Sequence, residues 1–115
     1  MTGERNMILW VDDIREPPQQ NGYRWVKSVN EAKSAIEDFE KKLDKGVMHP
    51  WAEIRYIDID HDAGDYACDG GDYIKLLDWL EVRGACYDIR IHSMNPVGVM
   101  RMRSIIERNK WREVF

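Results

Sequence analysis

The chain has 115 residues, a hydrophobic fraction of 43% and a formal net charge of −4. This length predicts a single domain over residues 1–115, and the acidic balance argues against a protein that coats nucleic acid, because such proteins usually carry a basic surface. Cys68 and Cys86 have no CxxC or CxxH pairing, which is typical of reduced cysteines in a cytoplasmic protein. The sequence has no apolar stretch of transmembrane length and no signal-peptide pattern, so we expect a cytoplasmic location.

The first half of the chain predicts two strands and one helix. Residues 7–12 form an apolar run that ends at paired acids, the pattern of a central strand buried on both faces. Residues 14–22 contain two prolines and predict a loop, and a short strand follows at 23–27. Ser28 begins a capping-box spacing, and the apolar periodicity after it predicts a helix that ends near Lys45. The link between the two strands is short for a parallel crossover, which normally needs a dozen residues or more.

The second half repeats the alternation. Strands are predicted at 53–59, 87–92 and 111–115. Helices are predicted at about 72–83 and 95–109, the second with Asn95 as N-cap and Pro96 in its first turn. The glycine-rich residues 63–71 predict a loop. This order of strands and helices implies right-handed crossovers and a mainly parallel α/β sheet.

Acidic residues and histidines follow three of the predicted strands. They are Asp12, Asp13, Asp60, His61, Asp62, His92 and Ser93. Because the carboxyl ends of parallel strands line one crevice, we expect these side chains to share one small volume. Four carboxylates in such a space repel one another unless a metal, a proton or a phosphate-bearing partner offsets the charge. The pattern therefore predicts a site at this edge, although each residue alone has an ordinary structural explanation.

Two kinds of chemistry are open for this cluster. Asp12, Asp13 and Asp60 offer the oxygen ligands of a hard cation such as Mg²⁺. Nearby histidines would shift the preference toward Mn²⁺ or Zn²⁺. Alternatively, His61 and His92 act without a metal as general base and general acid, with flanking aspartates orienting the rings.

The start of the third predicted helix favours an anion. The first turn contains Asn95, Pro96 and Gly98, and free N–H groups and the helix dipole point there. Gly98 would let a ligand approach the backbone closely. Arg15 would clamp a phosphate or offset the carboxylates. An ordinary capped helix is the alternative explanation of the first turn.

The strand-end acids resemble those of response-regulator receiver domains. The resemblance implies a receiver-like (flavodoxin-like) doubly wound fold with a mainly parallel five-stranded sheet. By position, Asp12 and Asp13 would be the metal-side acids. Asp60 would accept a phosphoryl group with Mg²⁺, and Ser93 would be the switch hydroxyl. The receiver lysine is missing from the last strand, which reads WREVF, and the first and last helices of that fold are reduced or missing in the sequence pattern.

The segments LWVDDIREPP, WVKSVNEA, IDHDAG and IHSMNPVG are similar to the cyclic-phosphate processing receiver-like family. This resemblance covers nearly the whole chain and implies an enzyme that opens or processes cyclic phosphates. The residues to which it points are Asp12, Asp13, Arg15, Asp60, His61, Asp62, His92, Ser93 and Asn95. Asp58 and Ala63 depart from the family pattern.

Three hypotheses follow from these observations. The first is a phosphoesterase that processes cyclic phosphates, such as 2′,3′-cyclic RNA ends, at the carboxyl edge of the sheet. His61 and His92 would be catalytic together with Asp60 and Asp62. The phosphate would lie against Arg15, Ser93, Asn95 and Gly98. A divalent metal, Mg²⁺ or Mn²⁺, is the only cofactor expected. The second is a non-catalytic receiver-like module that binds a metal, a phosphate or a protein partner; a true phosphorelay receiver is a third reading.

Overall fold

The computed structural model of this protein describes residues 6–44 and 53–115. Within these two stretches, strands and α-helices alternate as the sequence predicts. In chain order they are β1 (Asn6–Val11), β2 (Tyr23–Val26), α1 (Val29–Asp44), β3 (Glu53–Ile59), α2 (Ile74–Arg83), β4 (Ile89–Ile91), α3 (Pro96–Arg108) and β5 (Glu113–Val114). The predicted end of the first helix at Lys45 lies outside the described residues. None of the described helices is both long and apolar enough to cross a membrane.

The strands form a five-stranded parallel sheet in the order β2-β1-β3-β4-β5. This strand order is that of the flavodoxin-like fold, so the predicted receiver-like architecture is confirmed. β2 pairs in parallel with β1 although residues 12–22 between them form no helix, as the short link indicated. β1 and β3 therefore lie side by side inside the sheet, and their carboxyl ends are adjacent.

The three described α-helices pack on the same face of the sheet. Right-handed crossovers from β2 to β3, from β3 to β4 and from β4 to β5 all run in one direction, which places their helices together. Alternate strand residues such as Leu9 meet helix residues such as Leu77 and Ile106 in the core. Because strand side chains alternate in direction, Trp10 and Asp58 point to the opposite face. That second face carries the polar residues that reach the strand ends.

Side-chain hydrogen bonds fix the starts of two helices. Ser28 Oγ accepts the Glu31 N–H at 3.0 Å, and Glu31 Oε1 accepts the Lys27 N–H at 2.5 Å. The first bond confirms Ser28 as the predicted cap, whereas the return bond of a capping box is displaced by one residue, because Glu31 accepts the N–H of Lys27 and not that of Ser28. At the start of α3, Asn95 Oδ1 accepts the Gly98 N–H at 3.0 Å, which confirms the predicted N-cap.

The prediction of a loop at 63–71 is wrong in part, because Gly64–Cys68 forms a 3₁₀ helix. Asp69 ties the end of this segment to the start of α1, since Ser28 Oγ donates to Asp69 Oδ2 at 2.6 Å. The turn also lies close to the strand ends: a Cβ added to Gly64 (φ +57°) would meet a carboxylate oxygen of Asp13. Glycine is required there by both the backbone angle and the close approach.

Candidate active site

The carboxyl ends of β1, β3 and β4 meet at one edge of the sheet. Val11 is aligned with Ile59, which is aligned with Ile91. The Asp60 N–H donates to the Val11 carbonyl at 3.0 Å, and the His92 N–H donates to the Ile59 carbonyl at 3.0 Å. The residues that follow the three strands are thus brought together, as the sequence indicated.

A cleft of about 460 Å³ opens at this edge. It is lined by Arg15, Asp60, Asp62, His92, Ser93, Met94 and Asn95. All of these except Met94 were predicted as site residues from the sequence. Small-molecule sites commonly measure about 300–1,000 Å³, so the cleft is large enough for a phosphate ester.

His92 is held between two buried aspartates. Its Nδ1 lies 2.6 Å from Asp58 Oδ1, and its Nε2 lies 2.8 Å from Asp12 Oδ2. The three side chains are only 7%, 2% and 3% exposed, respectively. The Trp10 indole stacks on the imidazole with a centroid distance of 4.0 Å and an interplanar angle of 4°. The imidazole is therefore clamped at both nitrogens and on one face.

The two contacts of His92 require protons between its ring nitrogens and the carboxylates of Asp58 and Asp12. An ionised carboxylate only accepts hydrogen bonds, so both contacts are satisfied when the His92 ring carries a proton on each nitrogen or when one carboxyl is protonated. A cation also contacts Asp58, because Arg90 Nη1 lies 3.0 Å from Asp58 Oδ2. Arg90 offsets part of the negative charge of the two acids.

Asp12 connects this clamp to the loop that leads to Arg15. Its Oδ1 accepts the backbone N–H groups of Ile14 at 3.0 Å and of Arg15 at 2.9 Å. Burial acts to raise the pKa of Asp12, but the hydrogen bonds from the Arg15 backbone and from His92 outweigh it, so the pKa lies below its ordinary value. Asp12 is therefore held as a carboxylate that fixes the loop.

Two tryptophans hold the same loop from the outer face of the sheet. Trp10 Nε1 donates to the Arg15 carbonyl at 2.7 Å, and Trp25 Nε1 donates to the Asp12 carbonyl at 2.8 Å. The backbone that carries the acid pair and Arg15 is thus fixed at both ends. The Arg15 side chain remains exposed at the cleft.

Three carboxylates could hold a metal ion at this edge. Asp12, Asp13 and Asp60 each offer an oxygen, and these atoms lie within 4.8 Å of one another. Burial raises the pKa of Asp13, and the neighbouring Asp12 and Asp60 charges raise it further. A divalent cation would relieve this repulsion, and oxygen ligands of this kind suit Mg²⁺ or Mn²⁺.

His61 lies against the first turn of α3. Its Nδ1 is 2.8 Å from Asp62 Oδ1 and 3.5 Å from Asn95 Nδ2. A Cβ added to Gly98 would lie 2.4 Å from the ring Cγ, so Gly98 makes room for the imidazole and not for a ligand. The prediction that Gly98 admits a ligand to the backbone is wrong for this reason.

The hydrogen bond to Asp62 selects the tautomer of His61. When Nδ1–H donates to Asp62, the lone pair is on Nε2. Among the described residues, Nε2 has no hydrogen-bonding partner. His61 therefore differs from His92, because one of its ring nitrogens can still exchange a proton with a ligand or with water.

The start of α3 offers fewer free donors than the sequence suggested. Pro96 has no N–H, and the Gly98 N–H is already bonded to Asn95. Ser93 Oγ accepts the Asn95 N–H at 3.1 Å, which leaves its own hydroxyl proton for another acceptor. A phosphate at this edge would depend mainly on Arg15 and Ser93.

The sequence did not identify the partners that hold His92. From the sequence, Asp58 was recognised only as a departure from the family pattern, and Trp10 was predicted only as an apolar residue of a strand. Both follow the two-residue period of their strands, and Trp10 is aligned with Asp58, which is aligned with Arg90. Strand alternation was the available signal: it places Asp58 on the same face as Asp60.

The protein-family model of the cyclic-phosphate processing receiver domain matches residues 7–108. No curated protein and no solved structure matches the chain. The matched range contains every candidate site residue described above. Since the match covers far more than half of the sequence, this chain belongs to the family of cyclic-phosphate processing receiver domains.

Proposed function

We propose that this domain is a phosphoesterase that hydrolyses cyclic phosphates, such as 2′,3′-cyclic RNA ends, in the cleft at the carboxyl edge of the sheet. The observation that carries the proposal is the state of His61, whose ring is oriented by Asp62 while Nε2 has no partner among the described residues. Family membership supports an involvement in cyclic-phosphate processing.

His61 does not itself line the cleft but contacts Asp62 and Asn95, which do, and it would transfer protons in the reaction. Water gives a proton to His61 Nε2 as the water oxygen bonds to phosphorus. The bond from phosphorus to one ring oxygen then breaks, and that oxygen takes the proton back from His61, which yields a monoester. Asp62 would hold the ring through Nδ1, and Asp60 would hold the backbone, since its Oδ1 accepts the His61 N–H at 2.8 Å.

His92 has a different role in this proposal from the general acid that the sequence suggested. Both of its ring nitrogens face buried carboxylates, so it would position Asp12 and the loop instead of exchanging protons with substrate. Arg15 would bind the phosphate and stabilise the negative charge that develops in the transition state. A divalent ion held by Asp12, Asp13 and Asp60 would supply further charge neutralisation.

Hydrolysis of a short RNA that carries a 2′,3′-cyclic phosphate tests the proposal. The wild type is compared with His61→Gln and with the control variant Asp78→Asn, which changes a residue of α2 that does not line the cleft. Each protein is assayed with a chelator, with Mg²⁺ and with Mn²⁺. We expect turnover by the wild type and Asp78→Asn, and a rate at least about 100-fold lower for His61→Gln, because general acid–base catalysis contributes about 10²–10⁴-fold. Equal rates for the wild type and His61→Gln would contradict the proposal.

A non-catalytic module that binds a metal or a phosphate is the second candidate. The close approach of Asp12, Asp13 and Asp60 favours it, because a cation site needs no acid–base group. NMR titration with Mg²⁺ and with inorganic phosphate separates the two candidates. Saturable shifts at the strand ends, with no hydrolysis of any cyclic phosphate, would favour the binding module.

A further inference from the structure

A second hollow is formed by the loop that follows the acid pair and by β2. Its volume is about 420 Å³, and it is lined by residues 16–20 together with Tyr23 and Trp25. Both aromatic side chains are only partly buried. We call this hollow the aromatic groove. It takes no part in the chemistry proposed for His61 and Arg15.

Consecutive residues of the chain line the cleft and the aromatic groove. Arg15 lines the cleft, and the next residue, Glu16, lines the groove. The Trp25 ring forms part of the groove while its Nε1 donates to the Asp12 carbonyl at 2.8 Å. One lining residue of the groove is thus hydrogen-bonded to the backbone of the acid pair.

A line of rings also connects the two hollows. Tyr23 contacts Trp10 edge to face, with a centroid distance of 5.9 Å and an interplanar angle of 80°. Trp10 in turn stacks on His92, which lines the cleft. A ligand that occupies both hollows would contact one connected set of side chains.

The lining of the groove favours a flat, uncharged ring. Tyrosine and tryptophan faces stack on nucleobases, and the amides of Gln19 and Gln20 can donate to and accept from base edges. The charges nearby are mixed, because Glu16 lines the groove while Lys27 Nζ lies 4.6 Å from the centre of the Trp25 ring. Such a surface would not hold a long phosphate backbone, which needs several cations.

We infer that the aromatic groove binds the nucleobase attached to the cyclic phosphate, and that the substrates are nucleotides and not cyclic phosphates of simple polyols. This inference rests on the proposed function and names its substrate class. The phosphate lies in the cleft beside Arg15, and the base stacks on Tyr23 and Trp25. Tyr23 and Trp25 are then residues that determine specificity.

The test compares two substrates, a nucleoside 2′,3′-cyclic phosphate and glycerol 1,2-cyclic phosphate, which has no base. Tyr23→Leu is the variant of choice, and Tyr66→Leu, an exposed tyrosine of the 3₁₀ helix that does not line the groove, is the matched control. We expect Tyr23→Leu to raise KM for the nucleoside substrate about fivefold to tenfold and to leave KM for the glycerol substrate unchanged, because one base-stacking contact is lost. Equal effects on both substrates, or none on either, would overturn the inference.

A binding measurement keeps this inference separate from the proposed function. The indole N–H signal of Trp25 is followed by NMR while a nucleoside 3′-monophosphate or glycerol phosphate is added to the wild type. A saturable shift with the nucleotide and none with glycerol phosphate supports the groove as a base site, even if no cyclic phosphate is hydrolysed; absence of hydrolysis would then count against the enzyme alone. Identical responses to the two ligands, or no response to either, would overturn the inference.

Discussion

Replacing Asp58 by alanine tests the buried charge arrangement around His92. The variant removes the carboxylate that lies 2.6 Å from His92 Nδ1 and 3.0 Å from Arg90 Nη1. The Arg90 side chain is 40% exposed and can be solvated in the variant, so the loss of its ion pair with Asp58 changes the free energy of unfolding little. The imidazole of His92 is 7% exposed and cannot be solvated in the same way.

The size of the effect follows from this difference in exposure. Removing one partner of a buried ion pair costs about 3–5 kcal/mol, whereas a single unsatisfied buried polar group costs about 1–3 kcal/mol. Without Asp58, His92 Nδ1 is a buried polar atom that has lost its partner, while Nε2 keeps its contact with Asp12, so the cost lies between these two values. We therefore expect Asp58→Ala to lower the free energy of unfolding by about 2–4 kcal/mol, a large part of the roughly 5–15 kcal/mol typical of a domain.

Urea unfolding followed by far-UV circular dichroism measures this loss. Asp88→Ala is the matched control, since Asp88 is 37% exposed and lies 3.9 Å from Arg112. That variant should change the free energy of unfolding by about 0–1 kcal/mol. Similar m-values for the three proteins would show that the substitutions change the free energy of unfolding and not the surface exposed on unfolding. A loss below about 1 kcal/mol for Asp58→Ala, no larger than that of the control, would refute the reasoning.

Three further predictions concern the cap of α3, acid stability and metal binding. Asn95→Ala should lower the free energy of unfolding in urea by about 1 kcal/mol, because the Gly98 N–H loses its acceptor. Asn95→Asp should keep most of the wild-type stability, since its carboxylate can accept the same N–H. Hydrogen bonds from Arg108 and Asn109 lower the pKa of Glu81 to about 2 from 4.5. The stabilisation of the folded state by ionised Glu81 is therefore complete above pH 4.5 and is lost as the pH falls toward 2. Over this pH range, Tm should fall less steeply for Glu81→Gln than for the wild type. Asp13→Asn should raise Tm without metal, because burial and the adjacent carboxylates disfavour the Asp13 charge, and should abolish the Tm increase that Mg²⁺ gives the wild type; an unchanged Mg²⁺ response would exclude Asp13 as a ligand.

The sheet and the position of the site could be predicted because both depend on local sequence patterns. Apolar runs that alternate with amphipathic segments specify parallel strands and crossover helices. Once the strands are parallel, residues that follow them meet at one edge whatever the detailed packing, which is why Asp12, Asp60 and His92 were expected together.

The roles of individual side chains depended on contacts between distant residues. The bond between His92 and Asp58 joins residues 34 positions apart and requires the register of β3 against β4. Likewise, only the packing of α3 against the strand end places the His61 ring on Gly98. Sequence patterns alone predicted acid–base catalysis for both histidines. In the structure both ring nitrogens of His92 contact buried carboxylates, whereas Nε2 of His61 has no partner among the described residues.

The central claim is that His61 transfers protons during hydrolysis of a cyclic phosphate while His92 positions the loop. The most direct measurement is ³¹P NMR of a nucleoside 2′,3′-cyclic phosphate incubated with the wild type, with His61→Ala and with His61→Ala plus added imidazole. We predict that the cyclic-phosphate signal is replaced by a monoester signal with the wild type, persists with His61→Ala, and is again converted when imidazole supplies the missing group. Conversion at the wild-type rate by His61→Ala alone, or no conversion by the wild type with or without Mg²⁺ or Mn²⁺, would contradict the account.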